Sequence, residues 1–247
     1  MANIHLRFPR HIIEESKELR EGRDPLCPDY SMYMITEESL FSSIMPYTSK
    51  QVESIIRSHF GNKRIKNILD ATAHVGCDTI NFRSRFGANC ISIEIDPIAY
   101  ECLVQNQKTF TKEQLKTTRS GMDYSFEENY SINCNCIEFI QGFKKQVDFV
   151  YFDPPWGGPN YWRQKDMMLY LDYKERKYPI YTIVNNVFKE GFTKTVIVKT
   201  PRNFNIRLFI KELTKDAKCR SYKVFKQKKK KTKTTRVAFF ITVCSII

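Results

Sequence analysis

The chain has 247 residues, enough for one α/β domain with a full core and a helical extension, and its 40 Lys+Arg against 27 Asp+Glu leave a net charge of +13. That balance points to an anionic partner, nucleic acid before a membrane surface, because the sequence shows neither a basic amphipathic helix nor an apolar run long enough to cross a bilayer. Eight cysteines without a Cys-x-x-Cys pair and four scattered histidines exclude a structural zinc framework and predict free thiols in a reducing, intracellular setting.

In chain order, Met1 to His5 has no apolar signal-peptide core. Arg10 to Glu21 reads as a helix with a thin stripe of Ile12, Ile13 and Leu19, broken by Gly22, Pro25 and Pro28. Thr36-Glu37-Glu38-Ser39 looks like an N-cap followed by acids, opening a helix with Leu40, Phe41, Ile44 and Met45. Gln51 to Phe60 gives a third helix that delivers the chain to the sheet. Residues 1–60 are therefore taken as an N-terminal helical extension and 61–247 as the main domain.

Arg64 to Asp70 is a first parallel strand ending in an acid, and Ala71 to Thr79 turns into a helix through Ile80 and Phe82. Cys90 to Glu94 is a second strand ending in an acid, followed by Asp96-Pro97 and a helix start. Strand, turn, helix, strand and acid in that order suit a nucleoside cofactor: the turn passes the ligand and the second acid bonds ribose hydroxyls. Dinucleotide and S-adenosylmethionine sites share this order. Thr109 to Tyr130 is polar and reads as an irregular surface insertion, with a short strand from Tyr130 to Asn135.

Val147 to Phe152 is a buried-strand run, and Asp153-Pro154-Pro155-Trp156-Gly157-Gly158-Pro159-Asn160-Tyr161 follows it at the edge where open α/β sheets bind ligands. The prolines stiffen the turn and leave carbonyls free to accept hydrogen bonds. A carboxylate, free carbonyls and a flat indole suit a planar base with an exocyclic amine. A cofactor half followed by such a half is the layout of amino-methyltransferases, whereas a dehydrogenase would show more glycine in its first turn. Trp162 to Tyr181 is a long connection that could serve as a substrate flap. Thr193 to Lys199 is a strand leading to Arg202 and a helix from Asn203 to Lys215. Ser221 to Phe225 and Val237 to Val243 pair as a terminal antiparallel hairpin, with the run Lys226 to Lys233 at its tip, read as either a solvated loop or a contact of Lys228 to Lys231 with RNA phosphates, and less readily as a nuclear import signal. The fold class is α/β: a mostly parallel sheet with that terminal hairpin and the small helical extension.

From about Met32 onward the chain resembles the trimethylguanosine synthase family, the RNA cap guanine-N2 methyltransferases. The resemblance rests on Ile35-Thr36-Glu37-Glu38, Asp70-Ala71 with Val75-Gly76 and Thr79 to Phe82, Ile93 to Pro97, Pro154 to Pro159 with Tyr161, and Pro201-Arg202-Asn203. The Pro-Pro-Trp-Gly-Gly-Pro run is the most specific of these. The resemblance implies a Rossmann-like, S-adenosylmethionine-dependent methyltransferase, monomeric and metal-free, that acts on the 7-methylguanosine cap of RNA. It implies catalytic roles for Asp153, Pro154 and Trp156. Thr36, Asp70, Ala71, Gly76, Glu94, Asn135 and Asp153 would hold the cofactor. Trp156, Asn160, Tyr161 and Arg202 would hold the substrate, with Arg202 on the cap triphosphate. Family members usually carry glycine where His74 and Cys77 stand, and often Ser where Asp153 stands; the first two differences predict working but weaker cofactor binding. Two other readings stay open: an adenine-N6 or non-cap guanine-N2 nucleic-acid methyltransferase, and a non-enzymatic RNA-binding subunit. The RNA class, nucleus or cytoplasm, and a cellular or viral source are equally open.

Overall fold

The computed structural model describes the chain apart from residues 1–5, 23, 25, 38, 40–45, 118–128, 159, 227–235 and 247. The expected helix over Leu40 to Met45 and the lysine run Lys228 to Lys231 thus lie outside the described residues. In order, the elements are β1 (Leu6–Arg7), α1 (Arg10–Gly22), β2 (Met34–Ile35), α2 (Pro46–Phe60), β3 (Asn67–Asp70), α3 (Cys77–Phe86), β4 (Asn89–Glu94), α4 (Pro97–Thr117) and β5 (Tyr130–Asn133). They continue with α5 (Cys136–Gly142), β6 (Phe149–Phe152), β7 (Tyr170–Tyr173), β8 (Arg176–Pro179), α6 (Ile180–Glu190), β9 (Thr195–Thr200), α7 (Ile206–Glu212), β10 (Ala217–Phe225) and β11 (Val237–Ile246).

Seven strands form one sheet in the order β10-β11-β9-β6-β3-β4-β5. The five from β9 to β5 pair in parallel, while β11 runs antiparallel to both β9 and β10, so the terminal hairpin closes one side and leaves β10 as an edge. Strands β6 and β9 are buried at every residue, as expected for strands covered on both faces. Side chains alternate between faces. Leu69, Val150, Phe152, Val196 and Val198 pack with α5 and α6, whereas Ile68, Phe149, Tyr151 and Ile197 pack with Val52 and Ile56 of α2 and Phe82 of α3. After β3 the chain builds outward through β4 to β5, then returns to the other side of β3 with β6. Ligand crevices open at such a reversal, beyond the carboxyl ends of the strands.

Residues N-terminal to the sheet share a core with those that follow: Phe8, Ile12, Tyr30, Tyr33 and Ile35 pack with Val75, Ile80, Ala99 and Phe110. A buried Arg85 guanidinium joins them electrostatically, pairing with Asp24 at 2.6 Å and Glu53 at 2.9 Å. The Asn106 amide accepts from Met34 N and donates to the carbonyls of Met34 and Val75, which fixes β2 beside the turn after β3.

Four sequence expectations are corrected here. Residues 109–117, expected to be irregular, continue α4, since Lys, Glu, Gln and Leu are strong helix formers. The long connection over 162–181 is not without regular structure: its residues 170–179 form a hairpin, β7 against β8, that leads straight into α6. Helix α6 itself has no counterpart in the sequence expectation, although Ile180, Ile183, Val184, Val187 and Phe188 follow the helical spacing and are buried. Finally, not all thiols are free. Cys219 and Cys244 stand opposite each other in the β10–β11 register, Cα atoms 4.2 Å apart, and form a disulfide; the other six cysteines are thiols outside it. Such a cross-strand pair depends on register, which spacing in sequence does not reveal. Among the described residues no helix is long and apolar enough to cross a membrane, and no cluster of His, Cys, Asp or Glu could hold a metal ion.

Candidate active site

The parallel strands bring the sequence-predicted residues to one edge. Asp70 and Glu94 end β3 and β4, Asp153 directly follows β6, and Arg202 stands two residues beyond β9, exposed. The two expected halves are tied together, because the Asp153 N–H donates to Thr72 Oγ1 at 2.7 Å. Ala71 is buried, its N–H held by the Tyr151 carbonyl.

Beneath these turns lies a buried charge cluster that the sequence reading does not anticipate. Lys199 Nζ pairs with Asp153 Oδ2 at 2.6 Å and lies 3.9 Å from Asp78 Oδ2, which also accepts from the Tyr151 hydroxyl at 3.0 Å. Thr79 Oγ1 donates to Asp70 Oδ2 at 2.6 Å. Burial pushes the Lys199 ammonium down, but Asp153 and Asp78 outweigh it and hold it above its ordinary range. Burial raises Asp153, opposed by Lys199. Burial and then Asp78 push Asp70 up to about 8, against lowering hydrogen bonds from Thr79 and Thr72. Asp70 Oδ1 and Asp78 Oδ1 are buried without a hydrogen-bond partner.

Three acids share one ammonium, and two of the buried oxygens lack donors among the described residues. S-adenosylmethionine carries a sulfonium and an amine, so the residues fit it: Asp70 would take the methionine amine, directly or through water. The Glu94 carboxylate, raised by burial, accepts from His74 N at 2.7 Å and Asp96 N at 2.8 Å, which fixes its orientation at the end of β4.

Ligand pH dependence follows from Asp70. Below pH 8 its carboxyl holds a proton that a cationic ligand would expel, so cofactor binding should release a proton and weaken by up to about tenfold per pH unit below 8. Titration calorimetry in two buffers of different ionisation enthalpy reads the proton directly; equal heats in both would refute it. For the free protein the sign is opposite. Its raised carboxyl favours the fold below the ordinary value of about 4, and this contribution is lost as pH climbs to about 8.

Other expected cofactor residues divide. Thr36 Oγ1 lies 2.9 Å from Ser39 Oγ and 3.4 Å from His74 Nε2, so β2 brings it to the turn. Gly76, at φ +88°, is required by packing, since a Cβ there would stand 2.6 Å from Leu103 Cδ1. Asn135 is engaged by the fold: it caps α5 by accepting from Ile137 N at 2.9 Å and donates to the Asp172 carbonyl at 2.7 Å. The strand ends two residues earlier, at Asn133, which bonds the carbonyls of Glu94 and Ile95.

His74 occupies left-handed backbone at φ +50°, a conformation glycine adopts without cost. Burial also lowers its imidazole to about 4, so the ring is neutral near pH 7. His74→Gly should relieve about 1 kcal/mol of backbone strain and leave cofactor affinity equal or better, read by calorimetry. Complete loss of binding would mean that the imidazole itself holds the cofactor.

On the substrate side, Trp156 is half-buried, with Lys199 Nζ 5.7 Å from its ring and Tyr161 packed edge-on at 5.1 Å. Its indole N–H is buried and unpartnered. Pro154 is buried, and exposed Asn160 precedes a 3-10 turn over Tyr161–Arg163. The Asn203 amide donates to the carbonyls of Tyr161 at 2.9 Å and Gln164 at 2.7 Å, which fixes that turn beside Arg202. Lys199 carried a signal in the sequence: a single charge inside the run Thr195-Val196-Ile197-Val198-Lys199-Thr200, whose burial is predictable.

Known proteins agree with this architecture. A human methyltransferase 10 domain containing protein superposes with TM-score 0.56 at 8% identity, covering 97% of this chain and 98% of that one. A precorrin-6y C5,15-methyltransferase of Geobacter metallireducens GS-15 gives TM-score 0.53 at 12% identity over 86% and 97%. At these identities the likeness is one of fold. Uncharacterized protein L320 of Acanthamoeba polyphaga mimivirus is 26% identical over 203 residues, 74% of this chain and 72% of that protein. The model of the RNA cap guanine-N2 methyltransferase family matches residues 65–242, the whole stretch from the first sheet strand to the last. With the methyltransferase fold in place and the family match spanning most of its length, the chain belongs to the RNA cap guanine-N2 methyltransferase family.

Proposed function

We propose that this methyltransferase moves a methyl group from S-adenosylmethionine to the exocyclic N2 of a 7-methylguanosine cap on RNA. The observation that carries the reading is the junction of the two turns, where the Asp153 N–H bonds Thr72 Oγ1 and sets the carboxylate and indole beside the cofactor half. When bound, S-adenosylmethionine supplies a methyl already activated by its sulfonium, so the protein's work is alignment and exclusion of water. Lys199 holds Asp153 by Oδ2, and Oδ1 of that carboxylate has no hydrogen bond among the described residues. That oxygen and the Pro154 carbonyl would accept from the N2 amine, orient it and raise its electron density. Trp156 would stack the base. A 7-methylguanine is cationic, so stacking adds a cation–π contribution of about 0.5–2 kcal/mol over an unmethylated base. Because Asp153 neutralises Lys199, the ammonium near that indole does not repel a second cation strongly.

The test offers labelled methyl donor with 7-methyl-capped RNA, capped RNA lacking N7 methylation, uncapped RNA and DNA. Label in the first alone supports the reading; label in adenine of uncapped RNA or DNA would replace it. Cofactor binding without any transfer would identify a binding subunit. Within the reading, Arg202 serves the cap phosphates. Arg202→Ala should therefore weaken a 7-methyl cap dinucleotide and a capped RNA alike, by about tenfold or more for a charge-assisted hydrogen bond. An effect on the long RNA alone would move Arg202 away from the cap.

A further inference from the structure

Trp162, one of two tryptophans in the chain, is 57% exposed, although a large aromatic ring left in water is normally covered. The Arg163 guanidinium lies 5.1 Å from its ring centroid. The pair does not sit on a loose loop. Tyr161 N, Arg163 N and Gln164 N donate to the carbonyls of Gly158, Asn160 and Tyr161, and the Asn203 amide fastens the same turn from the side. Farther on, Met167 N donates to the Asn203 carbonyl and Asn205 N to the Met167 carbonyl, so segments 161–167 and 203–205 run side by side. Through Tyr161, whose ring meets Trp156 edge-on at 5.1 Å, this platform is continuous with the proposed base site. Its surroundings are basic: Arg163 and Lys165 stand on the first stretch and Arg202 and Arg207 flank the second, opposed by Asp166.

We propose that Trp162 and Arg163 form a second stacking site, which holds a nucleotide of the single-stranded RNA that follows the cap; this rests on the cap reading. Each element has a chemical reason. A nucleobase offers its face to an indole whatever its sequence, and Arg adds a cation–π contact and reach to the adjoining phosphate. A turn fixed by three of its own N–H groups and by the Asn203 amide loses little freedom on binding, so the platform is preorganised. The occupant is taken to be RNA, not protein, because the exposed ring lies among basic side chains and continues a nucleotide site, whereas a protein interface core is depleted of charge.

The experiment compares wild type, Trp162→Ala and Arg163→Gln on 7-methylguanosine triphosphate, a capped tetranucleotide and an uncapped single-stranded oligonucleotide. Methyl transfer is followed on the first two and binding on all three. Wild type should gain in KM on passing from the triphosphate to the tetranucleotide, by about tenfold or more for one base–aromatic stack. Both variants should lose that gain, with kcat and the KM for the triphosphate unchanged. Variants that keep the full gain overturn the proposal. If wild type methylates neither capped ligand, the cap reading fails by itself. The uncapped oligonucleotide then decides: weakened binding by Trp162→Ala sustains the platform, and unchanged binding removes it. Sedimentation is measured in parallel, and a Trp162→Ala variant that alters only self-association would assign the ring to a second copy of the chain and overturn the proposal.

Discussion

Trp156→Ala is expected to abolish methyl transfer to capped substrate while cofactor binding stays nearly intact. The ring touches the hydrophobic clusters on both faces of the sheet and meets Tyr161 edge-on, so it is a fixed surface and not a loop side chain. Base–aromatic stacking contributes about 1–3 kcal/mol, which is about 5- to 150-fold in substrate affinity, and transfer suffers further once the amine is no longer held in line. The cofactor contacts expected from Asp70, Glu94 and Thr36 lie on other strands. Calorimetry with S-adenosylmethionine, binding of a cap analogue and turnover, all on the same folded variant, separate the two sites. Trp156→Phe should recover part of the substrate affinity because it restores a ring. Wild-type substrate binding and turnover in Trp156→Ala would remove this residue from the active site.

The second large effect is one of stability. Lys199→Met takes the ammonium out of a buried cluster and leaves Asp153 and Asp78 without their cation. Removing one partner of a buried pair costs about 3–5 kcal/mol, because the remaining charge is stranded. Here the remaining groups are acids, so they escape the penalty by taking up protons. The loss measured by denaturant unfolding should be full at pH 8 and smaller at pH 5, because burial raises both Asp153 and Asp78 and the variant removes the lysine that lowers them, so proton uptake relieves the stranded charge as pH falls. A loss equal at both pH values would mean that Lys199 contributes packing of its alkyl stem and not charge.

How much of this was legible in the sequence depends on whether the signal was local. The strands around Asp70, Glu94 and Phe152 were legible because a buried strand in a parallel sheet must be apolar throughout, and the acids that end them mark the ligand edge. The Asp153 to Tyr161 turn was legible because its prolines, glycines and indole have few other uses together. Hairpin β7–β8 was not, for a specific reason. Its two loop residues, Lys174 and Glu175, adopt φ of +47° and +62°, where Asn-Gly or Asp-Gly would have announced the turn. The polar cluster was hidden differently. Asp78, Tyr151 and Lys199 come from a helix, a central strand and a distant strand, and only the packing of α3 on the sheet gathers them. At Asn135 the fold adds what the sequence did not show: the amide read there as a ligand contact also caps the first turn of α5 and bonds the carbonyl of Asp172.

The outer strand β10 gives the net charge of +13 a second meaning. An edge strand carries a row of backbone donors and acceptors that another copy of the same chain could extend. Lys218, Arg220 and Lys223 of β10 are exposed. Two such edges brought together would set cation against cation at close range. Part of the positive charge therefore protects the sheet from growing sideways into aggregates, a solubility device that works whatever the enzyme binds. The cations proposed to bear on substrate are others, around Arg202 and Arg163, and charge reversal on β10 should promote aggregation without touching catalysis.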